Sequence, residues 1–385
     1  MIRRQGRYTH IGLDIGATGM RMLQLADRDG EPAVQAAAHL EFPSAVESWE
    51  ERWPLILRGI RDALSSQPFF GRDVVIALGT GEFQLKNIRL PKMPPDEMEA
   101  AVQFEAQDRF ELGDCAAQLR YLPAGEVRHG NEVKEEVIVF AARDELVAQR
   151  LGQVVELGLR PVAIDLTPCA VARSFIRYLR RSEDASAVNV FMEIGRRGSC
   201  VVITRGTEIV FIKLIDIGGD EMNAAVARAM KLSATEAAEL RVRIMRDSAG
   251  RKGDPGHTAS SEIQARVQDA LRPLAERISR DVQLCLRYFA VTFRGQRPDS
   301  LTLIGGEAHE PVLMNVLTRE VDIPCTIGNP LRGVGRAELT ATREQKTLQP
   351  AWSVAMGLAL RGSPWIRSSR PAGAASQNRL AAVVG

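Results

Sequence analysis

GLDIGATGMRML (Gly12–Leu23) decides how this chain is read. Apolar residues alternate on both sides of Ala17-Thr18-Gly19, with Asp14 leading into the turn, so the stretch is strand, tight turn, strand. Two readings compete. The turn is either a buried hairpin that uses glycine for its geometry, or a hairpin whose small residues let backbone N–H groups approach a phosphate. VNVFMEIGRRGSCVVIT, from Val188, repeats the plan of THIGLDIGATGMRMLQL, with Glu193 in the place of Asp14. Two copies of one plan point to two halves of one topology.

Bulk properties narrow the classes. The 385 residues are 45% apolar and 25% charged, the make-up of a soluble globular protein too long for one small core. Fifty basic against 48 acidic residues leave +2, without the concentrated basic face of a nucleic-acid binder. RYLRRSED (Arg177–Asp184) is a local excess that a solvated helix face explains. Cys115, Cys169, Cys200, Cys285 and Cys325 form no CxxC pair, which reads as reduced thiols of a cytoplasmic protein. Five histidines show no ligand spacing. MIRRQGRYTH leads into no apolar segment and no run of 18 apolar residues follows, so neither a signal peptide nor a membrane span is expected. The Gly/Ser/Pro/Ala/Arg-rich residues 363–385 are expected to be disordered.

Between the hairpins, Ala37–Pro43 reads as a third strand, Pro54–Leu64 as a helix with Pro54 in its first turn, and Asp73–Leu78 as a buried strand before Gly79-Thr80-Gly81. FQLKNIRLP is a strand, and Pro94-Pro95-Asp96 starts a helix with acids at its positive end. On that helix Met98, Ala101 and Val102 face the core, while Phe104 and Phe110 either pack against neighbouring elements or border a peptide groove. Then come strand Glu136–Arg143, helix Glu145–Gly158, strand Arg160–Leu166 and helix Cys169–Arg181. After the second hairpin, strand–Gly218-Gly219–helix and strand–Gly305-Gly306–helix follow, and TLQPAWSVAMGLALRG closes as a helix at Gly362.

In their order, DIGATGMR (Asp14–Arg21), EIGRRGS (Glu193–Ser199) and LIGGEAHEP (Leu303–Pro311) resemble the two phosphate motifs and the adenosine motif of the actin-like ATPase superfamily. LPKMPPDEMEAAVQFEAQDRFEL, GLRPVAIDLTPCAVAR, IDIGGDEMNAAVARAM, NPLRGV and AMGLALRG narrow the resemblance to the FtsA-related PilM family of type IV pilus assembly proteins, over about residues 8–362. The resemblance implies an α/β fold of duplicated actin-like (ribonuclease H-like) mixed-sheet domains, with a nucleotide cleft and inserted subdomains. It places the first half at residues 1–83 and 164–185, an inserted subdomain at 84–163, and the second half at 186–362 with an insertion at about 220–300.

It also implies ATP and Mg²⁺ as ligands. Backbone amides and glycines would hold the polyphosphate, and acids at the hairpin heads would hold the ion through its waters. Asp14 with Gly16, Thr18, Gly19 and Arg21 would act from the first half, and Glu193 with Gly195, Gly198, Gly218 and Gly219 from the second. Arg241 would face the ribose, and Gly305 and Gly306 the adenosine. Asp165 reads equally as a further acid near the phosphates or as a cap for the helix beginning near Thr167.

The chain departs from the family pattern at Ala17–Gly19 and Arg21 in place of serines and a lysine, at Glu193 in place of aspartate, at Arg196 and Arg197, and at Ala238. Arginine is not geometrically equivalent to lysine, and at most a weak ATPase is implied. The implied role is a cytoplasmic scaffold that docks the N-terminal peptide of a PilN-like bitopic inner-membrane protein, beside other pilus or secretion components. A filament protein like FtsA or MreB and a small-molecule kinase of the same superfamily are the alternatives.

Overall fold

The computed structural model describes residues 8–43, 48–111, 115–129, 132–179, 181–248, 260–293, 296–336 and 349–366. Most of the tail expected to be disordered, residues 367–385, lies outside the described residues. Its first part is packed: Trp365 Nε1 donates to Gly30 O at 3.0 Å, and Ile366 joins the cluster around Leu23 and Val34.

The opening hairpin is β1 (Ile11–Ile15) and β2 (Gly19–Arg28), extended by β3 (Glu31–Glu41). Helix α1 (Trp49–Ser66) precedes β4 (Asp73–Leu78). It starts five residues before Pro54, because Ser48 and Glu51 cap each other's backbone N–H groups at 3.1 Å. The chain then leaves the sheet through β5 (Gln84–Pro91), α2 (Pro95–Arg109), β6 (Ala117–His129), β7 (Glu132–Arg143) and α3 (Asp144–Glu156). It returns with β8 (Arg160–Leu166) and α4 (Thr167–Ile176), a helix shorter than the expected Cys169–Arg181. The second half has β9 (Val188–Ile194), β10 (Ser199–Arg205), β11 (Glu208–Ile215), α5 (Gly219–Met230), α6 (Ala234–Ser248), α7 (Ser261–Thr292), β12 (Ser300–Ile304), α8 (Pro311–Glu320) and β13 (Cys325–Ile327). Two short elements follow, β14 (Gly335–Arg336) and α9 (Ser353–Ala359).

The sheets run β14-β3-β2-β1-β4-β8 and β11-β10-β9-β12-β13. Apart from β14, the two are one topology: three antiparallel strands in hairpin order, then two strands parallel to the first. Central strands are covered on both faces, so they read as apolar runs rather than as alternation: Val74 and Val75 in β4, and Val201, Val202 and Ile203 in β10, are all fully buried. The duplicated actin-like α/β architecture is therefore present.

The segment between β4 and β8 forms its own antiparallel sheet, β5-β7-β6. Helix α2 covers one face, packing Met98, Val102 and Phe110 on Ile88, Val137 and Val139. Phe110 is core, whereas Phe104 is 69% exposed. Strand β6 escaped the sequence reading because its register shifts between Pro123 and Gly125, which breaks the alternation. This sheet also reaches the second half: Asn87 Nδ2 donates to Ile212 O at 3.1 Å, and Arg89 bridges buried Glu136 (2.8 Å) to Tyr288 and Thr292 (both 3.3 Å).

The sequence reading runs the second half to Gly362. Instead, β14 pairs with β3, and α9 packs on the first half, burying Met356 and Leu360 against Leu23 and Leu25. Arg177 and Tyr178, just after α4, tie the two crossings between halves together: the Arg177 guanidinium donates to Pro330 O and Arg332 O (both 2.8 Å), and the Tyr178 hydroxyl donates to Asn329 O (3.1 Å). Helix α4 also packs directly on α9. That contact is closest at Gly357, where an added Cβ would lie 1.8 Å from Ala170 O. Gly357→Ala is expected to lower stability by about 3 kcal/mol, read as the shift in urea midpoint; an unchanged midpoint would show that the helices separate without cost.

Candidate functional site

The two hairpins face each other across a cavity of about 760 Å³ lined from both halves. Both turns close in the same way, Gly16 N to Gly19 O at 2.9 Å and Gly195 N to Gly198 O at 3.0 Å. The amides of Ala17, Thr18, Arg196 and Arg197 donate to no backbone carbonyl among the described residues, and all four residues line the cavity. Adjacent unpaired N–H groups of this kind form an anion-binding concavity.

Asp14 and Glu193 line the same cavity. Burial pushes Asp14 up to about 6, with Arg21 pulling the other way. Burial, and then the charge of Asp14, push Glu193 up to about 8. Two buried acids, one of them held protonated in part by the other's charge, make a pair that a cation would relieve. Arg21, paired in register with Asp14, is 8% exposed, and its Nε has no hydrogen-bond partner. Burial lowers its pKa while Asp14 and Glu41 raise it. Unpaired amides on both sides and an orphaned guanidinium N–H are donors in search of an anion, so the residues present fit a phosphate-bearing ligand with a cation.

Of the expected residues, Asp14, Gly16, Thr18, Arg21, Glu193, Gly195, Gly198, Arg241, Gly305 and Gly306 line the cavity. Gly19, Gly218, Gly219 and Asp165 do not. A Cβ on Gly19 would lie 2.3 Å from Leu40 O, so this glycine serves strand packing. Gly218 and Gly219 stand behind the second hairpin: Gly219 N donates to Gly195 O at 3.0 Å, and a Cβ on Gly218 would lie 2.5 Å from Gly198 N. They shape the turn rather than touch its contents.

Asp165 is neither a cleft acid nor a helix cap. Its Oδ2 accepts from Arg173 (2.6 Å) and Arg361 (2.8 Å), and α4 has no side-chain cap. Burial raises its pKa, but the two guanidinium groups outweigh burial and leave it below the usual value. Arg241 does reach the cavity, but its NH2 is committed to Glu307 (2.7 Å) and Glu310 (2.8 Å), and its NH1 to Asn223 (2.7 Å). Arg196 Nε is held by Asp220 at 2.6 Å, which keeps its side chain at the wall.

Sequence reasoning missed part of the cavity wall: Trp49, Arg52, Thr80, Glu82, Arg150 and Thr167. Ser48 and Glu51 start α1 so that Trp49 and Arg52 join this wall. Arg150 lies over the Trp49 ring at 4.1 Å and pairs with Glu82. No motif marks these positions. The acid of the IGGE run, Glu307, was the one missed group with a visible signal.

The family model described as type IV pilus assembly protein PilM matches residues 12–363. A solved chain of the "PilM-PilN type IV pilus biogenesis complex" is 26% identical, with a TM-score of 0.74 over 94% of this chain and 99% of that one. More distant are the ethanolamine utilization protein EutJ from Carboxydothermus hydrogenoformans (13% identity, 92% of this chain and 90% of that one, TM-score 0.49) and MreB 5 of Spiroplasma citri bound to AMPPNP (12% identity, 91% and 94%, TM-score 0.44). With that match running from the first hairpin to just beyond α9, this chain belongs to the family of the type IV pilus assembly protein PilM.

Proposed function

We propose that the protein is a nucleotide-binding docking scaffold of type IV pilus assembly, or of a related secretion machine. In this reading it takes the cytoplasmic N-terminal peptide of a PilN-like bitopic inner-membrane protein into a groove between its first sheet and its inserted sheet. The supporting observation is the groove itself. Leu78, Ile164 and Leu166 from the first sheet face Phe83, Phe140, Ala142 and Val147 from the inserted segment across about 50 Å³, with Gln118, Arg120 and Asp165 as polar lining. A small apolar cavity with three polar groups at its wall would seat one side chain of an extended peptide laid between the two sheets. No helix among the described residues is long and apolar enough to cross a membrane, so such a scaffold would meet the inner membrane through its partner.

In the cleft, Ala17, Thr18, Arg196 and Arg197 amides with Arg21 would take phosphate oxygens. Asp14 and Glu193 would hold Mg²⁺ through its waters, and Gly305 and Gly306 would border the adenosine. The ion, when bound, offsets part of the polyphosphate charge. Arg241, tied to two carboxylates, would shape the ribose end rather than grip it. Substitution of Glu193 for aspartate and the fixed Arg196 fit a switch more than a fast ATPase.

The test is calorimetric titration of the partner's N-terminal peptide into the full chain. Wild type should bind, and Arg120→Glu should bind at least about tenfold more weakly, which is 1.4 kcal/mol. Equal affinity for both, or no binding by wild type, would contradict the reading.

A further inference from the structure

The cleft and the groove are walled by the same three pieces of chain. In the turn after β4, Gly79, Thr80 and Glu82 line the cleft, while Leu78 and Phe83 line the groove. At the β8–α4 junction, Thr167 lines the cleft and Leu166 the groove. On α3, Arg150 lines the cleft and Val147, one turn earlier, the groove.

Resting on the reading above, we propose that the Glu82–Arg150 ion pair is the joint through which the contents of the cleft set the width of the groove. Glu82 holds the turn from inside, its Oε2 accepting from Gly79 N at 2.8 Å. Its other oxygen accepts from Arg150 Nε at 3.0 Å. Arg150 is itself braced by Trp49 and by Gln153 Oε1 at 2.8 Å. The side chains of Glu82 and Arg150 are 20% and 19% exposed, sheltered enough to escape most salt screening. Turn and helix therefore move together.

Besides the bonds that tie the inserted sheet to β11 and α7, the second half meets the turn itself at Thr80. Thr80 stands against Gly198 of the second hairpin, whose notional Cβ would lie 3.1 Å from Thr80 Cγ2. When the hairpins close on a nucleotide, Gly198 advances on Thr80. The displacement passes through the backbone to Phe83 and through the ion pair to Val147. Both are groove residues on the inserted segment, opposite Leu78, Ile164 and Leu166. The Thr167 hydroxyl, donating to Leu78 O at 3.0 Å, pins the opposite wall. One wall moves and the other is fixed, so nucleotide and peptide bias each other's binding, equally in both directions.

The experiment measures peptide affinity by calorimetry with and without Mg²⁺ and AMPPNP. Wild type, Glu82→Gln and Arg150→Gln are compared. The readout is the ratio of the two affinities, not either affinity, because both residues border the cleft. Wild type should change at least about fivefold on adding nucleotide. Each single variant should bring the ratio to within about twofold of one, as a joint made by one charge pair requires. Single variants that keep the wild-type ratio would overturn the proposal. So would wild type that binds both ligands with a ratio of one, although docking itself would then stand. Wild type that binds no peptide in either condition would sink the docking reading and this inference with it.

Discussion

Asp165→Ala is expected to lower the stability of the protein by about 3–5 kcal/mol, the usual cost of leaving buried charges without their partner. The carboxylate has no exposed surface, and it gathers Arg173 of α4 and Arg361 beyond α9 at one point of β8. Arg173 NH1 also donates to Gly357 O at 3.0 Å, so the same cluster fastens α4 to α9. Alanine would leave two guanidinium groups facing a void. Asparagine, which keeps the volume but not the charge, should be nearly as costly. Because the folded-state pKa lies below the ordinary carboxylate value of 3.8, this contribution is complete above that pH and is lost as pH falls below it. Urea unfolding at pH 7 checks the claim, and a loss under about 1 kcal/mol, the scale of an exposed pair, would show that the cluster is not buried as described.

Glu193→Gln should act in the opposite direction, stabilising the ligand-free protein at pH 8 by about 4 kcal/mol, at about 1.4 kcal/mol per pH unit between folded and unfolded values. Its folded value of about 8 stands above the ordinary 4.5. The folded state therefore keeps a proton that the unfolded chain releases, so stability is fully present below pH 4.5 and drains away as pH rises to about 8. Asp14, raised from 3.8 to about 6, adds a second window that begins lower and overlaps the first. Wild type without ligand should accordingly be more stable at pH 5 than at pH 8, and the variant much less pH-dependent. Unfolding midpoints from pH 5 to 8 test this, and a flat wild-type profile would contradict it. An acid pair that weakens the empty protein but would be relieved by a cation is what a binding site costs in stability.

Much of the frame was legible because it rests on local patterns. Each hairpin carries its own glycine turn and its own acid, so Asp14 and Glu193 could be matched from spacing, and sheet pairing then set them across one cavity. What stayed hidden depends on distant partners. Asp165 looks like any acid before a helix; the residue that settles its role, Arg361, lies 196 positions away. The small residues of AMGLALRG fit any tight helix contact, and nothing in them says that α9 returns to the first half. The glycines of IDIGGDEM follow a strand as phosphate-binding glycines do, yet they touch the back of the hairpin. The Trp49–Arg150–Glu82 wall combines α1, α3 and a turn, three elements with no shared motif.

Hydrogen exchange of the full chain, with and without the N-terminal peptide of the PilN-like partner, tests the docking claim most directly. The account predicts slowed exchange around residues 78–85, 117–122, 138–150 and 163–167, the backbone that walls the groove. Peptide binding with protection elsewhere, for instance only along the face of α7 that carries exposed Leu284 and Val291, would contradict it.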